Sequence, residues 1–181
     1  MRIKIRGIPL IIDYYFVAML TLMLVVFRNV NILLCFLFCI LHELGHLAAM
    51  SAMGERARSV TLGYFGMRIE CNTGIMPRRS EIIIAAAGPA VNLISAILCR
   101  MLGFDGAAQT NLGLAVFNLL PVGVLDGGRI LSAFVSERAL RSVGIATGVL
   151  LSFVGAAVAI YTGSNFMLLI VSFYVLIGAI K

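Results

Sequence analysis

The chain has 181 residues, 61% hydrophobic and only 12% charged, with a formal net charge of +6 and a mean hydropathy of +1.07. Soluble globular domains carry about 25% charged residues, so this composition excludes an ordinary soluble domain and indicates an integral membrane protein. The positive charge is not a nucleic-acid signal: no Lys/Arg cluster is interleaved with aromatics, and the basic residues fall in short connections between apolar runs. We read one membrane domain over residues 1–181, with a core at about 30–134 and no separate soluble domain.

Residues Met1–Ile8 carry Arg2, Lys4 and Arg6 and lead into an apolar run ending at Phe27 and Arg28. No small-x-small cleavage site precedes Arg28, so this run is expected to be an uncleaved first span rather than a signal peptide. Asp13 is expected at its interface. Apolar segments follow at about Val30–Met53, Ile82–Met101, Leu112–Phe134, Val143–Tyr161 and Asn165–Ile180. The expected fold is therefore an all-α membrane protein of six transmembrane helices. The longest polar connection, Gly54–Glu81, alternates apolar and polar residues through Val60–Tyr64 and again through Phe65–Glu70, with a phase slip near Gly63–Gly66. That pattern predicts a small β-hairpin after the second helix.

With six spans, Arg2, Lys4, Arg6, Arg56, Arg58, Arg68, Arg78, Arg79, Arg138, Arg141 and Lys181 share one side, against only Arg28 and Arg100 on the other. By the positive-inside rule both termini face the cytoplasm. Of the four cysteines, Cys35, Cys39 and Cys99 lie in apolar segments and Cys71 in a loop, which argues against a disulfide framework. Cys35 and Cys39 share a face with two histidines of the second span. One straight helix cannot wrap four donors around a single ion, so these thiols are read as packing residues.

The second span contains His42-Glu43-Leu44-Gly45-His46. At 100° per residue the two imidazoles differ by about 40° around the axis and share one face. In the H-E-x-x-H arrangement the histidines bind zinc and the Glu is the general base. An ionised Glu at membrane depth costs about 2.5–3.5 kcal/mol on insertion scales, which makes an idle carboxylate there improbable. A catalytic zinc site needs a third protein ligand. Asp13, Glu55, Glu70, Glu81, Asp105 and Glu137 lie in or beside connections, whereas Asp126 lies within the fourth span. Counting rise from the cytoplasmic ends puts Asp126 roughly 16 Å deep, beside His46 and His42 at roughly 12 and 18 Å. Pro121, Gly123, Gly127 and Gly128 should break that span, and freed backbone at this depth requires protein or a watery cavity around it. Two other arrangements stay open: Asp126 paired with Arg129, or a third ligand supplied by Glu70 or Glu81.

These residues resemble the site-2 protease family of intramembrane zinc metalloproteases, in its compact bacterial and archaeal form. The likeness rests on His42-Glu43-Leu44-Gly45-His46 and on Asn118-x-x-Pro121-x-x-x-Leu125-Asp126-Gly127-Gly128, with Gly88-Pro89-Ala-Val-Asn92 similar to a third recurrent element. The resemblance implies that His42, His46 and Asp126 hold Zn²⁺ and that Glu43 activates its water. It also implies that Asn118 and Asn92 bind the substrate backbone or support the site. The basic N-terminus and cytoplasmic-facing site are similar to the sporulation-associated branch. The implied reaction is hydrolysis of a peptide bond within or next to a transmembrane segment of a membrane-protein substrate, in the lipid bilayer of a prokaryotic cell. A homo-oligomer or a regulatory membrane partner stays open. Two rival readings are a non-catalytic zinc-binding membrane chaperone or regulator and a metal transporter. A transporter would carry polar groups at several depths along several spans, whereas here they cluster at one.

Overall fold

The computed structural model describes residues 2–5, 8–12, 14, 30–54, 57–63, 66–71, 77–163 and 167–180. They form four strands, β1 (Arg2–Ile5), β2 (Ile8–Ile12), β3 (Ala57–Gly63) and β4 (Gly66–Cys71). Six helices accompany them: α1 (Val30–Ala52), α2 (Arg78–Met101), α3 (Asp105–Asn118), α4 (Asp126–Ser132), α5 (Glu137–Thr162) and α6 (Met167–Ile180). Two compact units result, Met1–Leu114 and Ala115–Lys181. Three of the described helices are long and apolar enough to cross a membrane: Leu33–Ala52 within α1, then α2 and α5. At 1.5 Å per residue, the 24 residues of α2 span about 36 Å, more than the roughly 30 Å hydrocarbon core. The apolar part of α6, Leu168–Ile180, is shorter.

In the first unit the strands make one sheet in the order β1-β2-β3-β4. β3 and β4 pair antiparallel, with Gly63 opposite Gly66 and an irregularity between Ala57 and Ser59. The N-terminal residues depart from the sequence expectation. Arg2–Ile5 pairs antiparallel with Ile8–Ile12, and β2 runs parallel to β3, with Leu10 opposite Val60. The expected first span therefore loses its opening residues to a strand, and the sheet is twice the size of the expected hairpin. The physical reason lies in Arg2-Ile3-Lys4-Ile5, whose strict alternation suits a two-faced strand as well as it suits a basic anchor. The rest of that span, and Asp13, lie outside the described residues.

Helices α1 and α2 pack on each other in this unit. A Cβ on Gly45 would come within 2.8 Å of the Val91 side chain and 2.9 Å of the Ala87 carbonyl oxygen, so the absent side chain lets the two backbones approach. Leu102 and Gly103 (φ +81°) end α2, and Arg100 pairs with Asp105 across the turn into α3.

The expected fourth span is not one helix. α3 ends at Asn118, residues 119–125 are non-helical, and α4 begins at Asp126. In the second unit, Val122 and Leu125 from this break pack with Val175 and Ala179 of α6 into a buried cluster. Ser136 caps the start of α5, its hydroxyl accepting the Ala139 N–H, and Gly163 in the left-handed region caps its end. Its buried face is Gly144, Gly148, Gly155 and Ala159, all small. A Cβ on Gly155 would sit 3.0 Å from the Leu169 backbone, and one on Gly148 would sit 3.0 Å from the Leu176 Cα. The Ser152 hydroxyl donates to that of Ser172 at 3.1 Å, adding a polar link between α5 and α6.

Candidate metal centre

His42 and His46 come from the middle of α1, and their rings meet edge to face, with centroids 4.7 Å apart and planes at 84°. Both are buried, at 5% and 4% exposure, while Glu43 between them is partly exposed. The Nδ1 of His46 lies 2.6 Å from the Ile84 carbonyl oxygen of α2. A carbonyl only accepts, so Nδ1 carries the proton and the lone pair of His46 is on Nε2. That nitrogen lies 3.0 Å from Nε2 of His42. Two nitrogens bound tetrahedrally to zinc at about 2.0–2.1 Å lie about 3.3 Å apart, so the pair fits a zinc ion closely. The Ile84 carbonyl then does what outer partners of metal-bound imidazoles do: it sets the tautomer and holds the ring.

Gly88, one turn beyond Ile84 on α2, forms the floor under both rings. A Cβ there would lie 2.4 Å from His46 Nε2 and 2.7 Å from His42 Cε1. Sequence reasoning placed Gly88 in a recurrent motif and missed this role. Only the spacing of four from Gly88 to Asn92 hinted that both lie on one helix face. Asn92 is fully buried, and neither its amide nitrogen nor its oxygen has a hydrogen-bond partner among the described residues.

In the second unit, Asp126 is the first residue of α4 and is buried at 7% exposure. Its Oδ1 lies 3.8 Å from Arg129 Nη1, a long contact to a guanidinium that is 43% exposed. The two glycines after it are required by backbone crowding. A Cβ on Gly127 would fall 2.1 Å from the Leu119 carbonyl oxygen, and one on Gly128 2.0 Å from that of Val122. The chain thus folds tightly over the start of α4, which fixes where Asp126 begins. Asn118 closes α3. Glu81 is in the first turn of α2, and Glu70 is in β4.

Comparison with known proteins matches these features to a family. A profile of peptidase family M50 matches residues 104–162, a segment holding Asn118 and Asp126 but not the histidines. A solved site-2 protease from Methanocaldococcus jannaschii superposes with a TM-score of 0.70 at 26% identity, covering 99% of this chain and 93% of that one. A zinc metalloprotease of the same archaeon is 30% identical over 97% of this chain. Residues 104–162 thus match peptidase family M50, and the chain resembles the site-2 proteases. The stage IV sporulation protein FB of Bacillus subtilis is 31% identical over 61% of this chain. The chain spans 58% of the length of the archaeal metalloprotease and 42% of the sporulation protein. With three membrane-length helices among the described residues and this family likeness, it is an integral membrane protein.

Proposed function

We propose that this chain is an intramembrane zinc metalloprotease that hydrolyses a peptide bond within or next to a transmembrane segment of a membrane-protein substrate. The observation that carries the proposal is the His42–His46 pair: two buried imidazoles with nitrogens 3.0 Å apart, one oriented by a backbone carbonyl and separated by a carboxylate one residue along. His42, His46 and Asp126 hold the zinc in this reading. When bound, zinc lowers the pKa of a coordinated water and polarises the scissile carbonyl. The Glu43 carboxylate accepts the water's proton and passes it to the leaving amine nitrogen. Asn118 and Asn92 hydrogen-bond the substrate backbone or brace the site. An amide buried without partners among the described residues, as Asn92 is, suits a peptide group, which offers one donor and one acceptor.

A helical substrate shields its peptide bonds with its own hydrogen bonds, so it must unwind to be cut. The sheet offers a place for the extended segment to add as a strand. β3 is internal, paired with β2 on one side and β4 on the other, so the edge next to this hairpin belongs to β4. Proline at Val60 or Leu62 would therefore break the sheet itself, whereas proline substitutions along β4 test edge pairing. Tyr64 lies outside the described residues.

The proposal extends to six spans in one domain, a core at about 30–134, and both termini with the active site toward the cytoplasm of a prokaryotic cell. The test compares membrane peptides released by purified wild-type and Glu43→Gln protein in lipid. Zinc retained with cleavage lost supports the protease. Cleavage intact in Glu43→Gln rejects it, and zinc retained with no cleavage by wild type favours a non-catalytic zinc-binding regulator.

A further inference from the structure

Helices α2 and α3 leave a groove between them, within the first unit, that encloses a cavity of about 510 Å³. Leu93, Ala96 and Ile97 line it from α2, and Ala108 and Leu112 from α3. Ala96 and Ala108 are buried, and neither side chain is long enough to fill the space between the helices. One end of the groove is polar. Arg100 in the last turn of α2 and Asp105 in the first turn of α3 line it there, hydrogen-bonded to each other yet 71% and 58% exposed. Gln109, one turn further into α3, also faces the groove. The depth of this end follows from α2. The rise from Arg79 to Arg100 is about 32 Å, against a hydrocarbon core of about 30 Å. Arg100 and Asp105 therefore stand at headgroup level, and Leu93 and Leu112, two turns away on their helices, lie about 10 Å deeper.

We propose that this groove is a site for a phospholipid with an ethanolamine headgroup. From the mouth inward its lining runs charged, amide, apolar, the order in which a phospholipid presents its headgroup, ester carbonyls and acyl chain. Arg100 donates to the phosphate and Asp105 accepts from the primary ammonium, in place of their present contact with each other. Gln109 donates an amide N–H to an ester carbonyl, and the tail lies along Leu93, Ile97 and Leu112. A mouth with one cation and one anion has no net charge, so an anionic headgroup gains at Arg100 what it loses at Asp105. A choline headgroup carries the cation but has no N–H to give. Acyl chains find the apolar wall no better than the surrounding bilayer, so selection rests on the mouth.

The experiment needs no cleavage, so its outcome is independent of the protease reading. The full chain is reconstituted in nanodiscs of phosphatidylethanolamine, phosphatidylcholine and phosphatidylglycerol in equal parts, then extracted in mild detergent. Mass spectrometry identifies the lipid that stays bound. Wild type should retain the ethanolamine lipid about fivefold over either of the others, the scale of one exposed charge contact. Asp105→Asn should abolish that preference, and Ala108→Leu, which fills the groove, should remove most of the retained lipid. Asp105→Asn changes an exposed side chain, so it tests the mouth even where Ala108→Leu fails to fold. Phe153→Ala, at an exposed apolar position of α5, should alter neither result. A photoreactive residue at position 97 should crosslink to lipid. Equal retention of the three lipids by wild type, a preference for the anionic or choline lipid, or a preference that survives Asp105→Asn overturns the proposal. So do crosslinks from position 97 to a second copy or to another part of the same chain.

Discussion

His46 donates its Nδ1–H to the Ile84 carbonyl oxygen across 2.6 Å, so a backbone group of α2 dictates which ring nitrogen of α1 faces His42. A side-chain partner could be replaced by mutation or swing away; a helix carbonyl can do neither. The cost is that α2 must lie very close to α1, and Gly45 and Gly88 are the residues that permit it.

Gly88→Ala is therefore expected to act on metal affinity before it acts on stability. The added methyl would overlap both imidazoles and push them off their present positions. Zinc affinity should fall by about 10–100-fold, the usual effect of disturbing the groups that orient ligands. Chelator competition measures this. Unchanged affinity would mean that the rings lie elsewhere.

Glu43→Gln preserves shape and removes the base of the proposed reaction. Zinc stoichiometry, measured by elemental analysis, should stay at the wild-type value. Cleavage of a membrane substrate should fall by about 10²–10⁴-fold, the range general-base catalysis contributes.

Arg129 is the rival partner of Asp126, and the two can be separated. The contact is 3.8 Å long and the guanidinium half in the open, a class of pair worth about 1 kcal/mol or less. Arg129→Gln should then change zinc affinity by no more than about fivefold, whereas Asp126→Asn should lower it far more. Equal losses from both would make the ion pair, not the metal, the role of Asp126.

Gly155→Val should destabilise the α5–α6 hairpin by about 1–3 kcal/mol, because the new side chain meets the Leu169 backbone, which cannot rotate aside. Gly106→Ala on α3, where a Cβ meets nothing, should be neutral or stabilise by up to about 1 kcal/mol. Thermal unfolding in detergent compares the two. A neutral Gly155→Val would show that the helices stand further apart.

Much of this architecture was legible before any coordinates. The second, third and fifth apolar runs begin and end within a few residues, or about two turns, of α1, α2 and α5, because a long uninterrupted run admits little else. Pro121 and the glycines after it announced the break that ends at Asp126, and the i, i+4 spacing put His42 beside His46. The N-terminus was misread for a physical reason. Ile8-Pro-Leu-Ile-Ile is apolar throughout, and a continuous apolar run cannot by itself distinguish a buried strand from a helix. The roles of Ile84 and Gly88 were out of reach. One acts through a carbonyl that every residue has and the other through an atom it lacks, and neither leaves a trace in side-chain chemistry.

The glycine seam of α5 has a consequence for handling the protein. Lipid tails are as oily as leucine, so helices in a bilayer gain nothing from hiding apolar surface and cohere through close dispersion contact instead. A hairpin held that way, with Gly148 and Gly155 seated against the backbone of α6, does not depend on the surrounding bilayer for its attraction. It should stay closed through extraction into mild surfactant, so a purified sample can lose its native lipids and still present Ala115–Lys181 as one folded piece.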